Sequence, residues 1–359
     1  MSSTWGNRIK ISIFGESHGA GVGVVLDGIP AGIAIDMDAV LLQMARRAPG
    51  NDPAATRRKE ADIPEVLSGL LQEHTTGAPL CALIRNRDTR SQDYANVSFV
   101  PRPGHSDFAA FFRYDGANDI RGGGHFSGRL TAAIVFAGAI CRQILATHGI
   151  TVGAHLLSAG NACEDAFDAV SVDATLLNSL NCRPFPTLRE DAKQQMREEI
   201  ERARMDCDSV GGVVECAAVG LAPGVGNPMF GGVENVLASI LFGIPAVKGV
   251  EFGAGFLAAR LRGSQNNDAF RVAPDGGFVT ETNHHGGILG GITSGMPVIV
   301  RAAFKPTPSI AKPQHSVDLV GRTNEELVIH GRHDACVAVR AVPVVEAAVC
   351  IGLLDLVLS

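Results

Sequence analysis

Hydrophobic and polar positions alternate between residues 8 and 14 (RIKISIF), the period of a half-buried strand. The strand runs into Gly15-Glu16-Ser17-His18-Gly19, a turn that presents one serine and one histidine. The run GVGVVLDGI (21–29) predicts a second strand, closed by Pro30-Ala31-Gly32. Asp36 or Asp38 is placed to cap a helix over 38–47 that stops near Pro49-Gly50. A strand over 80–85 follows, and the apolar run from Leu130 predicts a helix ending at Gly149. Residues 150–187 show no pattern and read as a peripheral region. Residues 188–205 predict a superficial charged helix with Met196, Ile200 and Ala203 inward and Glu198 four residues before Arg202. A strand over 213–220, the turn Pro223-Gly224 and a helix over 234–243 then repeat the order met at 24–47. That echo suggests two strand–turn–helix halves related by a pseudo-twofold. A strand over 297–304 and a helix over 344–358 complete the chain. The last helix is apolar all round, which suits the core or a subunit interface.

Composition narrows the class. With 359 residues, 46% of them hydrophobic, the chain can bury a large core. A net charge of −6, one Trp and two Tyr argue against nucleic-acid binding. Eight cysteines without a C-x-x-C pair and no signal peptide imply reduced thiols in a cytoplasmic protein. No apolar run is expected to reach the ~20 residues of a membrane span, so no membrane is expected. Glycine is abundant, at 42 residues, and suggests loops that wrap ligands closely.

The chemistry concentrates in a few stretches. Arg121-Gly-Gly-Gly-His125-Phe126-Ser127-Gly128-Arg129 opens the helix from Leu130, with Ser127 as a plausible N-cap. Glycines there let the backbone approach a ligand, the helix start offers N–H groups to an anion, and two arginines flank the turn. Residues 46 to 59 hold Arg46, Arg47, Arg57, Arg58 and Lys59, which read as an arm closing over an anionic substrate. Arg102 stands between two prolines, and His105 sits on the Pro-Gly turn after it, well placed for proton transfer. Asn283 to Gly295 forms another glycine-rich loop, and Lys305-Pro306-Thr307-Pro308-Ser309 offers phosphate donors. The segment 331–343 adds Arg332, Asp334 and Arg340. Gly253 to Ala258 fits G-x-G-x-x-A, but Asp275 lies in a Pro-Asp-Gly-Gly turn rather than ending a strand, so the dinucleotide reading is rejected. His284, His285, His330 and His333 lack a cysteine pair or an i,i+4 partner, so no metal is expected. The residues alone point to an enzyme that holds a polyanionic small molecule, with His18 and His105 for proton transfer.

Taken together, GESHG (15–19), RPGHSD (102–107), RGGGHFSGR (121–129), DSVGG (208–212), IPAVKGVEFG (244–253), NHHGGILGGITSG (283–295), KPTPS (305–309) and GRHDACVAVRAVP (331–343) resemble the chorismate synthase family. The motifs run in family order over nearly the whole chain. The resemblance implies an α+β fold, a β-α-β sandwich in a single domain spanning 1–359, assembled as a homotetramer. It implies conversion of 5-enolpyruvylshikimate 3-phosphate to chorismate and phosphate, a 1,4-anti elimination that needs reduced FMN without net redox change. Catalytic roles carry over to His18 (leaving phosphate), His105 (protonation at flavin N1) and Asp334 (near flavin N5). Flavin contacts carry over to His125, Phe126, Ser127, Ala246, Gly290, Lys305, Pro306, Thr307, Pro308, Ser309 and Arg332. Substrate anions fall to Arg47, Arg58, Arg129 and Arg340. Many relatives have R-S-S-A-R or R-A-S-A-R where this chain has His125 to Arg129, so one cation beside the ligand becomes titratable or is lost. Many also carry an arginine near Pro53, which bears on NADPH. With no added reductase domain, the chain is expected to take reduced flavin from an external flavin reductase, with NADPH as indirect reductant. Two other readings compete: a nicotinamide oxidoreductase using Gly253 to Ala258, and a non-catalytic flavin- or anion-binding protein.

Overall fold

The computed structural model describes residues 3–48, 62–87, 99–329 and 334–359. In the first half, β1 (Thr4–Trp5), β2 (Lys10–Gly15) and β3 (Gly21–Asp27) lead to α1 (Met37–Arg47). Asp36 is the cap: its carboxylate accepts from the backbone N–H of Asp38 and Ala39 at 2.9 and 3.1 Å. β4 (Pro64–Ser68), the hairpin β5 (Leu70–Leu71) and β6 (His74–Thr75), and β7 (Leu80–Arg85) follow. Then come α2 (Asp107–Arg113) and α3 (Thr131–Thr147). The second half runs β8 (Thr151–Ala159), β9 (Ala162–Cys163), α4 (Ala174–Leu180), α5 (Glu190–Met205), β10 (Gly212–Val219), α6 (Val233–Phe242) and β11 (Val247–Phe252). After the single turn α7 (Gly263–Asn266) come hairpins β12 (Phe270–Val272)/β13 (Phe278–Thr280) and β14 (Ile288–Leu289)/β15 (Ile292–Thr293). β16 (Val298–Phe304), the hairpin β17 (Gln314–Asp318)/β18 (Thr323–Leu327) and α8 (Ala338–Val357) end the chain.

The strands form two antiparallel sheets, ordered β1-β2-β3-β7-β4 and β9-β8-β10-β16-β11. Each position in one order has a counterpart in the other. α1 and α6 follow the central strands, and α3 and α8 follow the last long ones. The internal repeat suggested by sequence is therefore present in the topology, and it extends to single hydrogen bonds. Thr75 Oγ1 donates to Pro30 O at 2.7 Å and accepts from Ile33 N at 2.9 Å. Thr293 Oγ1 donates to Ala222 O and accepts from Val225 N at the same two distances. Gly28 and Gly220, ending the central strands, have φ of 88° and 86°.

α3 packs on β2, β3 and β7, α8 packs on β8 and β10, and the two helices cross between the sheets. One continuous apolar core runs through both layers and includes almost all of α3 and α8. α8 thus lies in the core. Three expectations are corrected. Residues 150–187 are not all peripheral: β8 is an inner strand, with His155 wholly buried, because α8 covers one face and Phe167, Leu177 and Leu180 cover part of the other. Gly128–Thr147 is long and apolar enough, by length and composition, to cross a membrane, and most of it is buried between the sheets. On α5 the buried stripe is Ala192, Met196 and Ile200, and Arg202 pairs with Glu199 at 2.5 Å rather than Glu198. Gly255–Arg260 is a short 3₁₀ turn after an antiparallel strand, not the helix a dinucleotide fingerprint opens.

Candidate functional site

The three glycines at 122–124 all have positive φ, at 60°, 84° and 53°. The first two bring the backbone against side chains of the protein itself. A Cβ on Gly122 would lie 2.3 Å from His18 Cε1, and one on Gly123 would lie 3.1 Å from His105 Nε2. The turn therefore brings both histidines to adjacent residues. Ser17 N donates to Gly124 O at 3.1 Å and fixes the 15–19 turn against it. Ser127 accepts from Arg129 N at 3.3 Å and caps a 3₁₀ turn at Gly128–Leu130, which then leads into α3. Arg121 is not part of this arrangement. It is half-exposed and forms a fork with Asp119 at 2.9 and 2.8 Å.

Beside the turn lies a cavity of about 610 Å³. Its lining comes from both halves: Arg47, Arg102, His105, Gly122 and His125–Arg129 from the first, and Ala246, Lys248, Lys305, Thr307–Ser309, Asp334 and Arg340 from the second. Among the described lining residues, six lysine or arginine side chains (47, 102, 129, 248, 305 and 340) face one carboxylate, Asp334, in a chain of net charge −6. Such a lining favours an anionic ligand. His18 is buried behind Gly122 and is not among the lining residues; neither are Pro306 and Gly290. Gly290 and Gly291 turn the β14/β15 hairpin with φ of 62° and 85°. Their counterparts Gln72 and Glu73 turn β5/β6 with φ of 47° and 61°, so this turn geometry does not demand glycine. Arg58 and Arg332, with Arg57, Lys59, His330 and His333, lie outside the described residues.

The arginines are held by residues that the sequence reading did not single out. Asp62, buried and at φ 51°, accepts from Arg129 Nη1 and lies 3.4 Å from Arg47 Nη2. Arg129 also donates to Asn86 Oδ1 at 2.9 Å. Burial, with Arg340 and Arg129 nearby and Asp62 opposing, brings Arg47 down to about 9. Arg46, expected on an exposed arm, is buried at the end of α1 with Glu346 at 2.6 Å. Arg340 donates to Asp334 Oδ2 at 2.6 Å and to Arg47 O at 3.0 Å.

His105 follows Gly104, whose φ is 73°, on the Pro-stiffened turn. Burial lowers its proton affinity, with Arg102 and Lys305 adding to the effect and Asp107 opposing it. Lys305 donates from Nζ to Gly104 O and from its backbone N–H to Ala246 O at 3.0 Å. Burial and Lys248 lower its affinity too. Ala246 holds φ of 75°, uncommon for a residue with a Cβ. Arg102 Nη1 donates to Ser309 Oγ at 3.3 Å. Thr307 Oγ1 is buried without a hydrogen-bond partner among the described residues, a polar group at the cavity that awaits one. His125 donates from Nδ1 to Gly15 O at 2.8 Å and meets Ser3 Oγ at Nε2 at 2.7 Å. Phe126 lines the cavity with its ring edge-on to Tyr114, centroids 6.1 Å apart. Among the described residues no His, Cys, Asp and Glu side chains group to hold a metal. The arrangement can bind anions, move protons at imidazole and exclude water from a partly apolar chamber.

Comparison with known proteins agrees with the motif pattern. A family model described as chorismate synthase matches residues 9–358. A chorismate synthase of Thermococcus kodakarensis is 49% identical over 351 residues, covering 98% of this chain and 96% of its own. One from Dehalococcoides mccartyi is 47% identical over 359 residues, covering 100% and 97%. A crystal structure of chorismate synthase superposes with a TM-score of 0.74 at 27% identity, covering 99% of this chain and 93% of that one.

Proposed function

The chain belongs to the chorismate synthase family, a lyase family of the shikimate pathway, and on that premise we propose what its cavity does. It binds 5-enolpyruvylshikimate 3-phosphate with reduced FMN and releases chorismate and phosphate by 1,4-anti elimination. The observation that carries this reading is His18 and His105 packed on successive glycines beside one cationic chamber. The residues present fit a phosphorylated cofactor. Among the described residues the Thr307 hydroxyl lacks a partner, Lys305 and Ser309 flank it, and the volume lies within the ~300–1,000 Å³ of small-molecule sites. We assign the cofactor to His125, Phe126, Ser127, Ala246 and Lys305–Ser309, with Arg332 and Gly290 as further candidates. When bound, reduced FMN supplies electron density to the allylic system and ends the turnover in the same redox state.

The chain's own residues do the rest. Arg47, Arg129 and Arg340, with Arg58 as a further candidate, hold the substrate's phosphate and carboxylates; a guanidinium fork matches both groups. His18 gives a proton to, or shares one with, the departing phosphate oxygen and offsets its growing charge. His105 holds or moves a proton at the flavin edge, and Asp334 takes one onward. Exposed apolar side chains, among them Met229, Phe230, Phe256 and Phe278, support assembly into a homotetramer that would cover them. An external flavin reductase supplies the reduced cofactor.

Anaerobic incubation with photoreduced FMN and the enolpyruvyl substrate tests the reading. Chorismate absorbance should rise without net flavin oxidation. With NADPH also present, its consumption matched to product would make the protein an oxidoreductase, and binding without turnover a non-catalytic one. Replacing photoreduction by NADPH plus FMN, with no reductase, should give no chorismate.

A further inference from the structure

We propose that Asp107, gripped by Arg102, is a positioning residue for His105: it fixes the imidazole with its proton on Nδ1 and leaves Nε2 to exchange a proton beside the glycine turn. The proposal rests on the function given above. Asp107 Oδ1 lies 2.6 Å from His105 Nδ1. An ionised carboxylate only accepts, so Nδ1 must donate. Arg102 holds that carboxylate as a fork, with Nε 2.7 Å from Oδ2 and Nη2 2.8 Å from Oδ1, and its backbone N–H adds a third bond at 3.1 Å. Arg102 Nη2 and His105 Nδ1 are 3.1 Å apart, but with Nδ1 protonated both are donors and meet through Oδ1. Burial alone would raise Asp107; Arg102 and His105 hold it well below the usual carboxylate range, so it remains an anion. Nε2 is the ring nitrogen left for chemistry, and it faces Gly123, the residue whose missing side chain lets it come close.

The groups facing His105 are Asp107, which favours the imidazolium, and Arg102 and Lys305, which oppose it together with burial. Ser106 Oγ lies 3.4 Å from Nδ1 and is neutral. Take away the Asp107 charge and every remaining influence pushes His105 towards the neutral ring, free to carry its proton on either nitrogen.

The test uses the full-length chain with ¹⁵N-labelled histidine, its His105 signals identified by their loss in His105→Asn. The wild-type ring should be the Nδ1–H tautomer; an Nε2–H ring overturns the proposal without any variant. Asp107→Asn keeps the shape and removes the charge. Its His105 titration midpoint should fall by at least ~1 pH unit. Its kcat should fall at least ~10-fold with KM changed less than ~3-fold. Asp107→Glu should restore the midpoint and part of the rate. If Asp107→Asn leaves tautomer and midpoint unchanged, Asp107 serves only Arg102 and the proposal fails, whatever the rate does. The two failures separate: wild-type turnover in His105→Ala would sink the catalytic role of His105, while the tautomer and midpoint would still decide the role of Asp107.

Discussion

Gly122 shows how one residue can be read correctly for a partly different reason. Its φ of 60° and the close approach it permits were legible in the triplet, but the group that comes close is His18 of the same chain, not only a ligand. Gly122→Ala should therefore act on chemistry more than on folding. The left-handed backbone costs ~1–2 kcal/mol, and the new methyl, 2.3 Å from His18 Cε1, displaces the imidazole. Turnover should drop at least ~10-fold, whereas Gly263→Ala, which meets nothing within 4 Å, should behave as wild type. A fully active Gly122→Ala would remove the link between the turn and His18. His18→Ala and His105→Ala should each slow kcat by at least ~100-fold with unfolding midpoints near wild type. Unchanged rates would end both assignments. The carboxylates were less legible. Asp62 and Asp107 look like ordinary loop acids in the sequence, since their value lies in partners that only folding supplies: Arg47 and Arg129 for one, the Arg102 fork and His105 for the other.

At the scale of elements, alternation and apolar runs bounded by turns or caps found β2, β3, β10, β16, α1, α3 and α8, but they missed β8. β2 and α1 announce themselves by alternation and a capping aspartate. β8 does not, because seven of its nine residues, all but Thr151 and Leu157, sit in the interior and no polar rhythm survives. What β8 does carry is a charge in register. His155, Glu215, Arg301 and Glu251 stand opposite one another across β8, β10, β16 and β11, and Glu164 closes the far side of the imidazole. His155 Nε2 is 2.9 Å from Glu215 and Arg301 Nε is 2.8 Å from it. Burial opposes a charge on His155, but the two glutamates outweigh it and raise its proton affinity above the ordinary 6.5. A raised folded-state value means the row stabilises fully below pH 6.5 and loses that contribution as pH climbs through the higher folded value. His155→Gln should cost on the order of 3 kcal/mol in acid urea melts, and the gap to wild type should narrow as the pH is raised. A gap that widens with pH would refute a charged His155.

The whole molecule is two copies of one plan that share a single chamber. The echo between residues 24–47 and 213–243 was visible as strand, turn and helix; its full extent was not, because the equivalent residues share hydrogen-bonding roles more than letters. Thr75 and Thr293 are an exception that sequence comparison of the two hairpins could have caught. The chamber needs both copies: His105 and Arg129 come from one, and Lys305 and Arg340 from the other. Their alignment depends on the packing of α3 on α8, and one tight contact in that packing is Gly138 on Ala347. A Cβ at Gly138 would lie 2.3 Å from both Cα and Cβ of Ala347. Glycine inside a helix costs ~1 kcal/mol relative to alanine, so by helix propensity alone Gly138→Ala should stabilise. The contact reverses that sign: the helices must part, at a cost of ~1–3 kcal/mol for an overpacked core. Trimming the partner with Ala347→Gly should not rescue it, since Cα itself is in the way. Because the two lining sets ride on opposite halves, affinity for FMN should weaken along with the melting temperature in Gly138→Ala. A variant that melts higher and binds flavin as well as wild type would show that the halves align by some other contact.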